Sequence, residues 1–368
     1  MRIMFATTAN IGHFGPMTPF AHACAAAGHE VRVAAPASFA EQVARAGLVH
    51  VPFGEPAPGE RAPIFAKLPG LSREEANRVV IRDVFAGLDA RAALPGMEAA
   101  VEEFRPELLV REMAEFSSYA VASRWGVPLV EVAIGLAEVS VQAAGMLDDA
   151  LSRLGCTDDG LLTSPLVSVV PPSLESAPTD RPVHRFSYPM PSATAPPPDI
   201  PGDGPLVYAS FGTVAAVLPT FAGAYRTLVD ALTTRSVRAL VTVGQAGDTS
   251  LSTVDHVRVE RFVPQQDVMP HAAAAVVHGG FGTTMTALAA GVPIVAAPLF
   301  SMDQFLNAEA VARSGAGLAV DSVADIGPAL DKVLATPSYT TAARRLADEM
   351  ATLPPVPDSV QVFTRTAR

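Results

Sequence analysis

Seven consecutive residues between a predicted strand and a predicted helix are suited to holding an anion. They are His278, Gly279, Gly280, Phe281, Gly282, Thr283 and Thr284. Glycines let backbone amides approach a ligand closely, while threonine hydroxyls and the start of a helix add hydrogen-bond donors. Tight packing of the turn is an alternative use of the glycines, but a histidine at the carboxyl end of a parallel strand is typical of a ligand crevice. We therefore predict that this segment binds phosphate groups.

The spacing of these glycines excludes two common nucleotide-binding motifs. It matches neither GxGxxG nor GxxxxGK[ST], and the chain's only lysines, Lys67 and Lys332, lie far away. A second glycine-bearing loop, residues 10–16, follows the first predicted strand, but the next strand ends in Ala-Ala-Pro without an acid to hold the ribose of NAD. A NAD-dependent oxidoreductase is therefore the weakest of the alternatives that we consider.

The predicted elements around these motifs follow an α/β pattern. Apolar runs at residues 3–7 and 31–34 flank an Ala-rich helix predicted over residues 19–27, and a similar unit spans residues 107–132. Short strands that are apolar on both faces are typical of parallel sheets covered by helices. We predict doubly wound parallel sheets.

Prolines divide the chain into two parts. Residues 182–201 contain seven prolines, which neither continue a helix nor pair inside a sheet, so this segment should be an extended linker. Beyond it, strands and helices alternate again. The predicted organisation is an N-terminal domain (1–185), a linker (186–202), a C-terminal domain (203–352) and a tail (353–368) that could return to the first domain.

Composition excludes several classes of protein. The 368 residues are 49% hydrophobic and 17% charged, which is typical of a folded chain, and the net charge of -11 with scattered basic residues argues against a nucleic-acid partner. Cys24 and Cys156 have no metal-ligand spacing, so we expect a reducing, cytoplasmic location. We also expect no signal peptide, no membrane span and no membrane docking helix.

Two motifs, taken together and in this order, resemble a known family. They are GHFGP at residues 12–16, and the His278 segment followed by PLFSMDQ at residues 298–304. The chain is similar to inverting nucleotide-sugar glycosyltransferases with the GT-B fold, above all to actinobacterial enzymes that decorate polyketide, enediyne and glycopeptide antibiotics. The resemblance covers both predicted domains. It implies two Rossmann-like doubly wound domains facing an interdomain cleft.

The resemblance also implies a catalytic base and its partner. His13 falls where the family places its general base, and an imidazole can take the proton from an acceptor hydroxyl at neutral pH. The family commonly orients this histidine with an aspartate after a later strand, and here Glu112 is the candidate. Glu112 is one methylene longer and lies beside Arg111, so a surface ion pair is the alternative. Glu115 is a weaker candidate partner.

A donor site is implied on the C-terminal domain. The His278 segment would bind the diphosphate, Asp303 and Gln304 would bind sugar hydroxyls, and a loop near residue 263 would read a pyrimidine base. Helix capping is the alternative role for Asp303. The implied donor-binding residues are His278, Gly279, Gly280, Gly282, Thr283, Thr284, Asp303, Gln304, Val263, Gln265, Ser210 and Thr213.

The acceptor site is less well defined by the sequence. Four apolar residues in or near irregular stretches could line an apolar pocket, although packing in the core is the common role of such side chains: Phe65, Met113, Phe116 and Met146. Neither a DxD pair in the expected loops nor a carboxylate cluster with magnesium spacing is present, so we predict no metal and no other cofactor.

Together these inferences predict an inverting transferase that moves a sugar from a dTDP- or UDP-sugar to a hydroxyl of an apolar natural product. A nucleotide-sugar 2-epimerase would share the phosphate site but would use carboxylate bases, and His13 argues against it. A non-catalytic relative that activates a partner transferase should lack the base or the phosphate site, and both are present. The sequence leaves the oligomeric state open, with a homodimer as one option.

Overall fold

A parallel β-sheet lies at the centre of each of two units in this chain, for which a computed structural model describes residues 1–147, 149–175, 181–215, 221–252 and 254–368. The first unit comprises the described residues of Met1–Val169, Ala177–Ser187 and Pro354–Arg368. The second comprises those of Val170–Ser176 and Tyr188–Leu353. The tail therefore belongs to the first unit, and a short segment before the proline-rich stretch belongs to the second.

Both sheets are parallel throughout their described strands. The first has the order β3-β2-β1-β4-β5-β6-β7 and the second β10-β9-β8-β11-β12-β13. The strands are β1 (Arg2–Ala6), β2 (Glu30–Pro36), β3 (Val49–Phe53), β4 (Leu108–Glu112), β5 (Leu129–Val132), β6 (Leu166–Ser168), β7 (Val183–Arg185), β8 (Leu206–Ser210), β9 (Arg238–Thr242), β10 (Val257–Glu260), β11 (Ala274–Val277), β12 (Ile294–Ala296) and β13 (Gly317–Ala319). The central strands β4, β8 and β11 are buried along their whole length, which accounts for their apolar runs.

Helices connect and cover these strands. They are α1 (Ile11–Ala26), α2 (Ala40–Arg45), α3 (Ala62–Phe65), α4 (Arg73–Val79), a π-helix (Val80–Asp89), α5 (Ala90–Phe104), α6 (Ser117–Trp125), α7 (Ala137–Ala144), α8 (Ala150–Arg153), α9 (Gly212–Ala215), α10 (Ala222–Thr233), α11 (Gln265–Val268), α12 (Phe281–Ala289), α13 (Met302–Ser314), α14 (Ile326–Ala335), α15 (Pro337–Thr352) and α16 (Val360–Thr366). Within the described part of the chain, none of the helices has the length and apolar character needed to span a membrane.

The strand order reverses once in each sheet. In the first sheet the reversal falls between β1 and β4, where Ala6 pairs with Arg111. In the second it falls between β8 and β11, where Ser210 pairs with Val277. Loops leaving the carboxyl ends of two such strands diverge, and the crevice between them is the usual ligand site of an open α/β sheet. Each unit therefore presents one such crevice.

Helix α1 begins earlier than the sequence predicted. The side chain of Asn10 accepts a hydrogen bond from the amide of Gly12 (2.8 Å), so the helix starts at Ile11 and not near residue 19. Pro16 and Pro19 lie inside the helix, within and next to the stretch that the sequence analysis assigned to a glycine-bearing loop. His13 consequently lies in the first helical turn.

Only part of the proline-rich segment is an extended linker. Its first residues form β7, which pairs with β6 at the edge of the first sheet, and an edge is where a neighbouring proline is tolerated. Residues 186–205 contain neither helix nor strand.

Near the end of the chain, the ring of Phe363 packs edge-on against Phe5 (6.2 Å between centroids) and Phe20 (6.4 Å), which holds α16 on the first unit.

Candidate active site

A buried carboxylate and an imidazole meet at the crevice of the first sheet. Glu112 ends β4 and its side chain is fully buried, whereas 19% of the His13 side chain is exposed. Oε1 of Glu112 lies 3.2 Å from Nδ1 of His13. The structure thus brings together the two residues that the resemblance had assigned to catalysis.

Thr8, which the sequence analysis did not single out, joins these two residues. Its amide and its hydroxyl each lie 3.1 Å from Oε1 of Glu112, and the hydroxyl lies 3.0 Å from Nδ1 of His13. The amide of Ala114 donates to the other carboxylate oxygen at 2.7 Å. A polar residue just beyond β1, next to the end of β4 in the parallel sheet, was the sequence feature that could have indicated Thr8.

These contacts fix the protonation state of Glu112. Burial acts to raise its pKa, but the nearby charge of His13 and the hydrogen bonds from His13, Ala114 and Thr8 outweigh burial, and the pKa of Glu112 lies below the ordinary carboxyl value. Glu112 is therefore a carboxylate at neutral pH. A carboxylate at Nδ1 favours the tautomer with hydrogen on Nδ1, which makes Nε2 the basic nitrogen of His13.

The alternative partner Glu115 has a different role. Its carboxylate accepts hydrogen bonds from the amides of Ser117 (2.9 Å) and Ser118 (3.0 Å), and from the Ser117 hydroxyl. These donors are the unsatisfied amides at the start of α6, so Glu115 caps that helix. The prediction of Glu115 as a partner of His13 is wrong for this reason.

Arg111 does not form a surface ion pair with Glu112. Adjacent residues of a strand point to opposite faces, and Arg111 is buried on the other face, where Nη1 lies 2.6 Å from Glu131. Its remaining donors bind the backbone oxygens of Met113 (2.6 Å) and Glu115 (2.8 Å). The surface ion-pair alternative for Glu112 is therefore wrong.

A pocket of about 320 Å³ opens beside Thr8 in the first unit. Its lining is largely apolar with a few charged groups: Ala9, Pro36, Phe53, Gly54, Glu55, Pro56, Arg61, Phe85, Asp89, Ala90, Ala93, Ala114, Glu115 and Phe116. Arg61 and Asp89 form an ion pair at 2.8 Å. Burial raises the pKa of Asp89, while the charge of Arg61 opposes this.

The predicted acceptor residues divide into two groups. Phe116 lines the large pocket, and it also lines a smaller one of about 210 Å³ together with Met113. Phe65 and Met146 line neither pocket. Phe65 is 44% exposed on the short helix α3, and Met146 is buried in the core, so their role as acceptor contacts stays a prediction.

A histidine cradled by glycines lies at the crevice of the second sheet. His278 follows β11, and its ring lies between Gly212 and Gly280. A Cβ atom would lie 2.7 Å from ring Cε1 at Gly212, and 2.5 Å from it at Gly280. Gly279 has φ +82°, and a Cβ there would collide with the carbonyl oxygen of Gln304. The glycines of this segment therefore make room for the imidazole and for a close loop.

The ring of His278 is a neutral hydrogen-bonding group. Burial lowers the pKa of His278 to about 4, against a smaller opposing effect of the Ser210 backbone. The amides at the start of α12, which begins at Phe281, have no acceptors within their own helix. A neutral imidazole beside a helix N-terminus can hold an anion through hydrogen bonds and the helix dipole.

Several predicted donor contacts hold the loops of the site together. Nε2 of Gln265 donates to the hydroxyls of Thr283 (2.9 Å) and Tyr208 (3.2 Å). The hydroxyl of Ser210 donates to a backbone oxygen of β9 and accepts from the amide of Gly212 at 3.2 Å. These side chains therefore fix the positions of the loops, and their role as direct donor contacts stays a prediction.

Three further predictions have different outcomes. The side chain of Thr284 is buried, and its amide donates a hydrogen bond to the carbonyl oxygen of Gly280 at 3.0 Å. The side chain of Thr213 lies outside the described residues. Val263 lies in the connection between β10 and α11, as expected for a base-reading loop.

The PLFSMDQ segment is fixed by its last residue. Oε1 of Gln304 accepts hydrogen bonds from the amides of Leu299 (2.9 Å) and Phe300 (3.2 Å), and the residue is buried. This oxygen thus accepts two hydrogen bonds from the loop, and a sugar contact of Gln304 stays a prediction. Asp303 is half-buried and accepts a hydrogen bond from the Ser301 hydroxyl.

Asn307 is a further residue that the sequence analysis missed. Its Nδ2 donates to the carbonyl oxygen of Gly279 at 2.7 Å, and the side chain is buried. This contact joins α13 to the His278 segment.

Among the residues that the structure describes, no three His, Cys, Asp or Glu side chains gather as metal ligands.

The two parallel α/β units, each with one crevice, match the architecture of the GT-B class of glycosyltransferases. Comparison with known proteins agrees with this class. The chain is 33% identical over 376 residues to L-demethylnoviosyl transferase of Streptomyces niveus, covering 96% of this chain and 95% of that one. It is 31% identical over 394 residues to elloramycin glycosyltransferase ElmGT of Streptomyces olivaceus, covering 100% and 97%. The chain belongs to this family of antibiotic glycosyltransferases.

Two further comparisons support the same assignment. Residues 226–364 match the family model of the erythromycin biosynthesis protein CIII-like C-terminal domain. The crystal structure of the Streptomyces sp. SF2575 glycosyltransferase SsfS6, complexed with thymidine diphosphate, is similar with a TM-score of 0.77 at 26% identity, covering 99% of each chain. The predictions of the GT-B fold and of a glycosyltransferase are confirmed, and the alternatives of an epimerase and of a non-catalytic relative are not favoured.

Proposed function

We propose that this glycosyltransferase moves a sugar from a dTDP-sugar to a hydroxyl of an apolar natural product, with inversion at the anomeric carbon. The observation that carries the proposal is the buried carboxylate of Glu112 holding His13 beside a largely apolar pocket. The names of the relatives, which are antibiotic sugar transferases, support a natural-product acceptor. A UDP-sugar is the alternative donor.

The first unit supplies the base. As the acceptor oxygen attacks the anomeric carbon, its proton passes to Nε2 of His13, and the bond from that carbon to the diphosphate oxygen breaks. The imidazolium that forms is stabilised by the carboxylate of Glu112 at Nδ1. The Thr8 hydroxyl lies within hydrogen-bond distance of both side chains and holds them next to each other.

The second unit supplies the donor site. Neutral His278 and the free amides at the start of α12 would bind the diphosphate and stabilise the negative charge of the leaving group. The complex of SsfS6 with thymidine diphosphate supports a dTDP donor. We propose that this site needs no metal ion. Dimerisation and a cytoplasmic location stay predictions from the sequence.

The direct test is a transfer assay with a matched histidine control. The purified protein is incubated with dTDP- and UDP-sugars and a set of polycyclic phenols, and products are detected by mass spectrometry and their anomeric configuration by NMR. His13→Ala should abolish most transfer, whereas His22→Ala, on the exposed side of the same helix, should retain it. Formation of an epimerised nucleotide sugar without an acceptor would instead favour the epimerase.

A further inference from the structure

The helix that borders the large pocket changes its hydrogen-bonding pattern where it meets the pocket. Residues Val80–Asp89 form a π-helix between α4 and α5. In a π-helix each amide bonds to a carbonyl five residues earlier, and the amide of Ala90 bonds to the carbonyl of Phe85. Such segments are rare and frequently occur at functional sites.

One face of this helical stretch lines the pocket with Phe85, Asp89, Ala90 and Ala93. Phe85, Asp89 and Ala93 are four residues apart, a spacing that places side chains on one helical face. The wider turn of the π-helix brings Ala90 towards the same face, because its amide bonds to the carbonyl of Phe85. The Phe85 ring is therefore part of the pocket wall.

The same ring contacts the proposed base. The ring centroids of Phe85 and His13 lie 6.0 Å apart with a tilt of 56°. Thr8, on the same pocket wall, hydrogen-bonds both His13 and Glu112. The imidazole of His13 is thus held at Nδ1 by hydrogen bonds and on its ring by an aromatic contact.

We propose that Phe85 is a positioning residue for His13, a proposal that rests on the proposed transferase function. Its ring restricts the rotation of the imidazole and also forms the wall against which an apolar acceptor lies. The Phe85 side chain thus positions both the acceptor hydroxyl and Nε2 of His13, so that the proton can pass between them.

A kinetic double-mutant cycle tests this role. Phe85→Leu keeps apolar volume but removes the ring, and it should lower kcat about tenfold with the donor and acceptor pair that reacts fastest in the transfer assay. In a His13→Ala background the same change should cost little further, because Phe85 acts through His13. Phe85→Tyr, which keeps the ring, should restore most of kcat.

Phe104→Leu is the matched control, since Phe104 is a buried ring of α5 outside the pocket lining. It should lower stability without lowering kcat. Equal loss of kcat from Phe85→Leu in both backgrounds, or a change in KM alone, would overturn the proposal. A parallel cycle of unfolding free energies for Phe85→Leu and His13→Ala needs no substrate, and additive effects would also overturn it. Absence of any transfer by the wild type would instead reject the proposed function.

Discussion

At the scale of single residues, the proposed chemistry depends on one buried carboxylate whose oxygens are hydrogen-bonded. Glu112 receives three hydrogen bonds, two from Thr8 and one from Ala114, and faces the imidazole of His13. A buried charge is tolerated only when it is paired and hydrogen-bonded, and this set of partners meets that condition. The same partners give the carboxylate a fixed orientation, which a base-orienting group requires.

Glu112→Gln should change how the stability of the protein depends on pH. The pKa of Glu112 is lower in the folded protein than the ordinary value, so as the pH falls the unfolded chain takes up a proton first. This carboxylate therefore stabilises the fold above the ordinary carboxyl pKa, and its contribution is lost on acidification.

Chemical denaturation between about pH 3 and pH 7 measures this effect, since that range brackets the ordinary carboxyl pKa. The difference in unfolding free energy between the wild type and Glu112→Gln should shrink as the pH falls through the carboxyl range, from about pH 5 to pH 3. Carboxylates remote from this site titrate in both proteins and cancel in the difference. A difference that grows over that range would show that the carboxylate is not stabilised by its partners.

At the scale of elements, two switch points of parallel sheets place the functional side chains. His13 and Glu112 follow β1 and end β4, and His278 follows β11 beside β8. The resemblance assigned His13 and Glu112 to these positions, whereas His278 was also indicated by an apolar strand followed directly by a polar residue.

Other features of the elements could not be predicted from local sequence. The sequence analysis predicted no element at residues 80–89, so the place of Phe85 became evident only from the structure. Thr8 and Asn307 act through contacts with residues far along the chain, to which local spacing gives no access. Gln304 was expected to touch a sugar, but its side chain satisfies two loop amides, a need that only the folded loop reveals.

The glycine cradle of His278 gives a prediction with an internal control. Gly280 has an ordinary backbone conformation (φ -61°, ψ 140°), so Gly280→Ala introduces no backbone strain, but its Cβ would lie 2.5 Å from the imidazole. The displaced ring should weaken dTDP binding about tenfold, the effect of one lost hydrogen bond to a charged group, measured by titration calorimetry.

Gly282→Ala serves as the control for stability. A Cβ at Gly282, in the first turn of α12, meets no atom within 4 Å, and alanine favours a helix over glycine by up to about 1 kcal/mol. Thermal unfolding should therefore show a melting temperature that falls for Gly280→Ala and is unchanged or raised for Gly282→Ala. Equal destabilisation by both substitutions would contradict the cradle.

At the scale of the whole molecule, the two units divide the work of the reaction. The first contains the proposed base and pocket, and the second contains the proposed diphosphate site. The predicted boundary at residues 186–202 marks one crossing of the chain, but the second unit also includes the described residues of Val170–Ser176, and the first regains the chain at Pro354. Long-range packing, such as that of Phe363 on Phe5, decides these assignments.

The proposed donor site predicts binding of dTDP without a metal ion. Thermal unfolding with dTDP at a hundred times its dissociation constant should show a stabilisation of about 2.7 kcal/mol, a shift of several degrees, and EDTA should leave it unchanged. NADPH should give no comparable shift. A shift that EDTA removes would contradict the metal-free site.

The central claim is that His13 acts as the base and does not hold the donor. It is tested most directly by measuring kcat and dTDP affinity on the same preparations of wild type and His13→Ala. We predict that kcat falls by about a hundredfold or more, as expected for loss of a general base, while the dissociation constant of dTDP changes by less than about twofold. An unchanged kcat, or a loss of dTDP affinity as large as the loss of kcat, would contradict the account.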